Sequence, residues 1–75
     1  METIGNRAYQ AIKERAEQNG RHILDQAEEV FVSKRVLWAW QHGQYDPRAY
    51  FLQELAKAGY DVIWILTGKR EEDGK

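Results

Sequence analysis

The chain contains no cysteine and a single proline, Pro47. Without cysteine there can be no disulfide, no thiolate metal site and no cysteine nucleophile. A chain of 75 residues lacking such staples must rely on packed helices, which suits a reducing compartment and sets the expectation of a cytoplasmic protein. No apolar run approaches the roughly 20 residues of a membrane span, and no basic-then-apolar leader is visible. Net charge is also small: 11 lysines and arginines against 12 aspartates and glutamates leave −1. That excludes a strongly basic nucleic-acid binder, but it leaves open a local basic face.

Groups able to do chemistry are sparse. His22 and His42 fall in separate segments, and each reads most simply as a solvated or capping side chain. Glu28 and Glu29 are sequence neighbours, so they diverge on a helix surface instead of pairing. No glycine-rich phosphate loop and no Ser/His/Asp set is apparent. The expectation is a protein that is not an enzyme and holds neither cofactor nor metal.

What the chain does have is apolar and aromatic content: 43% hydrophobic, with three tryptophans, four tyrosines and two phenylalanines. That is enough for one core and one domain. Gly5, Gly20, Gly43, Gly59, Gly68 and Gly74 cut it into segments of helical length. Gly20, Gly43 and Gly59 read as left-handed C-terminal stops.

Five helices are predicted. The first, Asn6 to Gln18, carries Ala8, Tyr9, Ile12 and Ala16 on one face. The second, His22 to Val30, carries Ile23, Ala27 and Val30. The third starts at the N-cap Ser33 and runs to His42, with Val36, Leu37 and Trp40 inward. The fourth runs from Pro47 to Ala58, with Asp46 as cap and Pro47 as its first residue. The fifth takes Asp61 as cap and Val62 to Leu66 as its body, stopped by Thr67-Gly68. A strand over Val62–Leu66 is rejected because it would have no partner to satisfy its backbone. The fold class is all-α, a compact five-helix domain over residues 1–68, followed by a flexible charged tail at 69–75.

Charge is distributed unevenly. From Val30 through Tyr45 there is no acidic residue, although 12 of the 75 residues are acidic. That window holds Ser33, Lys34, Arg35, Trp38, Gln41, His42 and Gln44. A short helix with Lys-Arg on its first turn and amides further along can enter a major groove. Cations there oppose the helix dipole by a few tenths of a kcal/mol, so helix stability does not account for them. The plainer alternative is a solvated first turn. With Val36, Leu37 and Trp40 inward, Trp38 falls outward, which marks a contact surface for DNA, a second subunit or a partner protein.

Four motifs in register carry a resemblance. Ala27-Glu28-Glu29-Val30-Phe31-Val32-Ser33-Lys34 resembles the "AEkLGVSk" core of lambda-repressor-like helix-turn-helix domains. Trp40-Gln41-His42-Gly43 is similar to the "W-E-x-G" that ends their recognition helix. Asp46-Pro47, Phe51-Leu52 and Leu55-Ala56-Lys57-Ala58-Gly59 resemble their fourth helix. Asp61 to Gly68 resembles the "W-L-L-T-G" ending of phage-repressor-type members. The resemblance covers about residues 6–70.

It implies a transcriptional regulator, a repressor or Cro-like protein of a prophage or mobile element. Such a protein binds operator DNA as a homodimer and occludes a promoter. Lys34 and Arg35 would reach bases and Ser33 a phosphate, while Ala39 would touch a thymine methyl. His42 and Gln44 would meet the DNA backbone, and Arg21 and His22 a phosphate at the start of the second helix. A dimer interface would draw on Trp64 or Ile65 of the fifth helix, though Trp64 as plain core is the alternative. The competing reading is a protein-binding derivative, antirepressor or antitoxin-like, that uses Trp38 or the fifth helix.

Four departures from the pattern cluster in the first half of the motif. Phe31 replaces the turn glycine, which leads us to expect a turn opened or rebuilt around a buried Phe31. Gln26 stands at a core leucine position and Arg21 at another apolar one. Ile23 replaces a phosphate-touching polar residue, and Ile23 with Leu24 is expected to supply the missing packing.

Overall fold

The computed structural model describes residues 2–70 and contains, among them, five α-helices and no strand. They are α1 (Ile4–Gln18), α2 (Ile23–Glu28), α3 (Lys34–Gln41), α4 (Ala49–Lys57) and α5 (Val62–Thr67). None is long and apolar enough to cross a membrane. Helix α1 lies at the centre and packs against α2, α3 and α5. The core joins Ala8 and Ile12 of α1 to Ala27, Val30, Val32, Leu37, Trp40, Leu55, Tyr60 and Ile65. Trp40 meets Phe51 edge-on, with ring centroids 5.3 Å apart.

Helix α1 begins two residues before the expected Asn6, for a local reason. Thr3 and Asn6 form a reciprocal capping box: the Asn6 N–H donates to Thr3 Oγ1 and the Thr3 N–H to Asn6 Oδ1, each at 3.0 Å. Gly5 is therefore inside a helix and does not punctuate the chain. A Cβ there would lie 2.8 Å from the Tyr45 carbonyl oxygen and 3.2 Å from Trp40 Cα, so glycine is what lets α1 meet the end of α3.

The start of α4 also differs from expectation. Asp46 does not cap it; its carboxylate accepts the Gly5 N–H at 3.1 Å and ties the α3–α4 loop to α1. Pro47 is buried ahead of the helix, and Arg48 occupies the N-cap with no side-chain hydrogen bond to the helix.

Four chain reversals share one hydrogen-bond pattern. At Gly20, Gly43 and Gly59, φ is positive; the glycine N–H bonds to the carbonyl three residues back, and the next N–H bonds to the carbonyl five back. Phe31 does the same at φ 61°, with Phe31 N–H to Glu28 O and Val32 N–H to Ala27 O. The turn between α2 and α3 thus has the form of the three glycine turns, with a phenylalanine in the left-handed position. It is neither opened nor built around a buried ring, because Phe31 is 64% exposed. In this motif the residue after the left-handed one makes the inward contact, and Val32 is buried together with Ala27.

Gln26, at a core position, is buried and satisfied: its carbonyl oxygen accepts from Asn19 Nδ2 at 3.2 Å, and its amide donates to Glu29 Oε1 at 3.1 Å. Ile23 packs against the core as expected, whereas Leu24 points outward. Arg70 lies 4.3 Å over the Trp64 ring and 4.0 Å from Glu14. Residues 71–75 of the expected tail lie outside the described residues.

Candidate nucleic-acid interface

At about 100° per residue, Lys34, Arg35, Trp38, Gln41 and His42 fall on one arc of α3, roughly 120° wide, with Trp38 at its middle. All five are exposed. The opposite side carries Leu37 and Trp40 into the core, with Val36 half-buried. Trp38 is 50% exposed, and its ring sits 4.4 Å from that of His42, tilted by 51°.

The helix bearing this arc is held at both ends. Ser33 Oγ accepts the Val36 N–H at 3.3 Å, which leaves the hydroxyl proton free to donate to a phosphate. At the other end, Asn6 Nδ2 donates to the carbonyls of Trp40 and Gln41, each at 3.0 Å. The Trp40 carbonyl also accepts the Gly43 N–H at 3.1 Å, so the glycine turn and a side chain of α1 together close α3.

The remaining expected contacts are divided. His22 is exposed and caps α2, its Nδ1 accepting the Leu24 N–H at 3.1 Å. An acceptor at Nδ1 puts the proton of the neutral ring on Nε2, where it can be donated to an anion. Gln44 is exposed, and its N–H closes the turn after α3 on Ala39 O at 2.9 Å. Arg21 is exposed but already engaged: it pairs with Glu29 and donates to the Asp25 carbonyl at 3.2 Å, and the Glu29 hydrogen bond raises its pKa.

Two expectations fail on burial. Ala39, assigned to a thymine methyl, is only 3% exposed, because it lies on the inward edge of α3. Ile65, assigned to a dimer interface, is fully buried in the core. Trp64 is half-buried beneath Arg70. The exposed apolar side chains of α5 are instead Ile63, at 61%, and Leu66.

Sequence reasoning missed Arg48. It is exposed, forms no ion pair among the described residues, and shares a hollow with Val36, Trp40, Tyr45, Asp46 and Phe51 beside α3. Nothing in the local sequence signals this, since Asp46 presents itself as the helix cap. Phe31 was placed inward, yet it lines a second hollow with Leu24, Glu28 and Lys34.

The cations divide between helix ends, carboxylates and open surface. Arg7 donates to the carbonyls of Ile65 at 2.8 Å and Leu66 at 3.2 Å, capping α5. Arg15 donates to the carbonyls of Ala58 at 2.6 Å and Gly59 at 3.1 Å, capping α4. Lys57 pairs with Glu54. Lys34, Arg35 and Arg48 form no ion pair among the described residues, and neither do Lys13 of α1 and Lys69. No group of three or more His, Asp or Glu side chains among the described residues could hold a metal ion. No protein-family model, curated protein or solved structure matches the chain.

Proposed function

We propose that the protein is a sequence-specific DNA-binding transcriptional regulator of the lambda-repressor-like helix-turn-helix kind, acting as a homodimer that occludes a promoter. The observation that carries this reading is the exposed arc of α3. It is basic at its first turn, free of acid, and bears Lys34 and Arg35 without an ion-pair partner among the described residues, while the arginines of α1 hold helix ends. A helix about 10–12 Å across fits a major groove about 12 Å wide. Lys34 and Arg35 would meet guanine edges or phosphates, Ser33 and His22 phosphates, and Gln41 a base edge. Two such helices roughly 34 Å apart would read an inverted repeat. Ile63 and Leu66 are the apolar side chains of α5 available to a second copy.

The test is binding of the full chain to duplex DNA flanking its own gene, followed by footprinting over a range of salt. Affinity should fall steeply as salt rises, by about 0.9 log units per log unit of salt for each phosphate neutralised. Lys34→Ala with Arg35→Ala should abolish specific binding and leave the helical content intact. No shift at low salt refutes the reading.

One observation favours a second reading, a protein partner. The exposed Phe31 ring lies beside Leu24 and Lys34, in a hollow that also includes the acid Glu28 of α2. An apolar patch of that kind suits a protein surface better than a phosphate backbone. Binding that is insensitive to salt and lost with Phe31→Ser would support it.

A further inference from the structure

We infer that Trp38 is a specificity-determining residue that reads a pyrimidine C5 methyl, so that each half-site carries thymine beneath the middle of α3. The inference rests on the DNA-binding reading above and adds the base that the centre of the helix selects.

Trp38 stands at the middle of the exposed arc of α3, between the cations Lys34 and Arg35 on one side and Gln41 and His42 on the other. A groove floor that meets the middle of this arc lies against the indole. Half of the Trp38 surface is open, and the contact with the His42 ring at 4.4 Å limits how far the indole can swing aside. A flat apolar surface thus lies where a recognition helix meets base edges.

Three of the four base edges in the major groove offer only polar groups, and thymine alone adds an apolar one, its C5 methyl. Pressed against a polar edge, the indole removes water and returns at most the single hydrogen bond of its Nε1–H. Pressed against a methyl, it buries apolar surface on both partners. One buried methyl is worth a factor of roughly four in affinity. A desolvated, unpaired polar edge costs roughly tenfold or more. Thymine also bears part of that cost through its O4 acceptor, so the methyl contact is what favours it at that position. Ala39, to which a thymine contact would otherwise fall, is buried and cannot make it.

The experiment selects duplexes from a random pool with the full-length chain at low salt. Each thymine of the selected half-site is then replaced by uracil, which removes only the methyl. Wild-type protein should lose roughly fourfold in affinity at one or two thymines per half-site. Trp38→Ala should bind more weakly and show no difference between thymine and uracil at those positions. Trp38→Phe, which keeps an apolar ring, should retain the preference, and circular dichroism should show unchanged helical content in both variants. Uracil tolerated at every thymine, or an equal uracil penalty in Trp38→Ala, overturns the inference while leaving DNA binding intact. Failure to select any duplex refutes DNA binding itself and this inference with it.

Discussion

Phe31 occupies a left-handed position, φ 61°, in a turn whose three counterparts are glycines. An L residue there costs on the order of 1–2 kcal/mol. Glycine avoids that strain but loses about 0.5–1 kcal/mol more chain entropy on folding. The difference leaves Phe31→Gly about 1 kcal/mol more stable than Phe31→Ala, the reverse of the order at an ordinary position. For a domain of this size that is a gap of about 4–8 °C in Tm. Because the Phe31 ring is 64% exposed, its contacts are worth below about 1 kcal/mol, and Phe31→Gly should be at least as stable as the wild type. Urea unfolding followed by tryptophan fluorescence and circular dichroism measures all three proteins. An alanine variant equal to or more stable than the glycine variant would refute the reasoning, since the strain would then be absent. DNA affinity should be unchanged in Phe31→Gly if the α3 arc alone meets DNA.

Three further outcomes follow from particular contacts. Asn6→Ala removes the amide that holds the Trp40 and Gln41 carbonyls as well as one half of the α1 capping box, and should cost about 1–2 kcal/mol in urea unfolding. Gly5→Ala would gain up to about 1 kcal/mol of helix propensity elsewhere, but here its Cβ meets the Tyr45 carbonyl, so the net change should be destabilising by thermal unfolding. Tyr60→Phe removes a buried hydroxyl whose one polar neighbour, Gln26, forms no regular hydrogen bond with it among the described residues, and should stabilise by up to about 1 kcal/mol. Burial raises the Tyr60 pKa above its ordinary value, against the opposing charge of Arg15. The folded state therefore keeps a proton that the unfolded chain releases near pH 10, so wild-type stability is full below that pH and falls as pH rises past it. The fall should be shallower in Tyr60→Phe.

The helices were legible because their signals are local. Apolar residues recur at helical spacing, Ser33 and Asp61 cap as their chemistry predicts, and glycines close three of the turns. The misreadings come from partners distant in sequence. Asp46 followed by Pro47 has every local mark of a helix start, yet the Gly5 N–H, 41 residues away, holds the carboxylate. Phe31 looks like a core residue by composition, but the left-handed position points its ring outward and hands the inward contact to Val32. Within the candidate interface, the charged and amide positions on α3 were readable from spacing. Ala39 was misplaced because one residue of helical rotation, about 100°, separates groove from core. The free guanidinium of Arg48 was invisible because it depends on what Asp46 does instead.

The near-zero net charge takes on a different meaning once the cations are placed. Helix α1 supplies Asn6 to the end of α3, Arg15 to the end of α4 and Arg7 to the end of α5, each at carbonyls that a helix leaves unpaired. Cations at helix C-termini are stabilised by the helix dipole and by direct hydrogen bonds, so these arginines belong to the framework. They keep their charge, but their guanidinium groups are tied to helix ends and are not open to a partner. Arg21 and Lys57 are likewise matched by Glu29 and Glu54. The charge that a partner meets at α3 is that of Lys34 and Arg35, with Arg48 alongside; no carboxylate occurs between Val30 and Tyr45 in the chain, while Glu28 lines a hollow with Lys34 and Asp46 one with Arg48. A neutral body with two or three open cations has little long-range pull on a polyanion. Selectivity must then come from what the arc touches at close range, which makes the side chain at its centre, Trp38, more consequential than the overall charge.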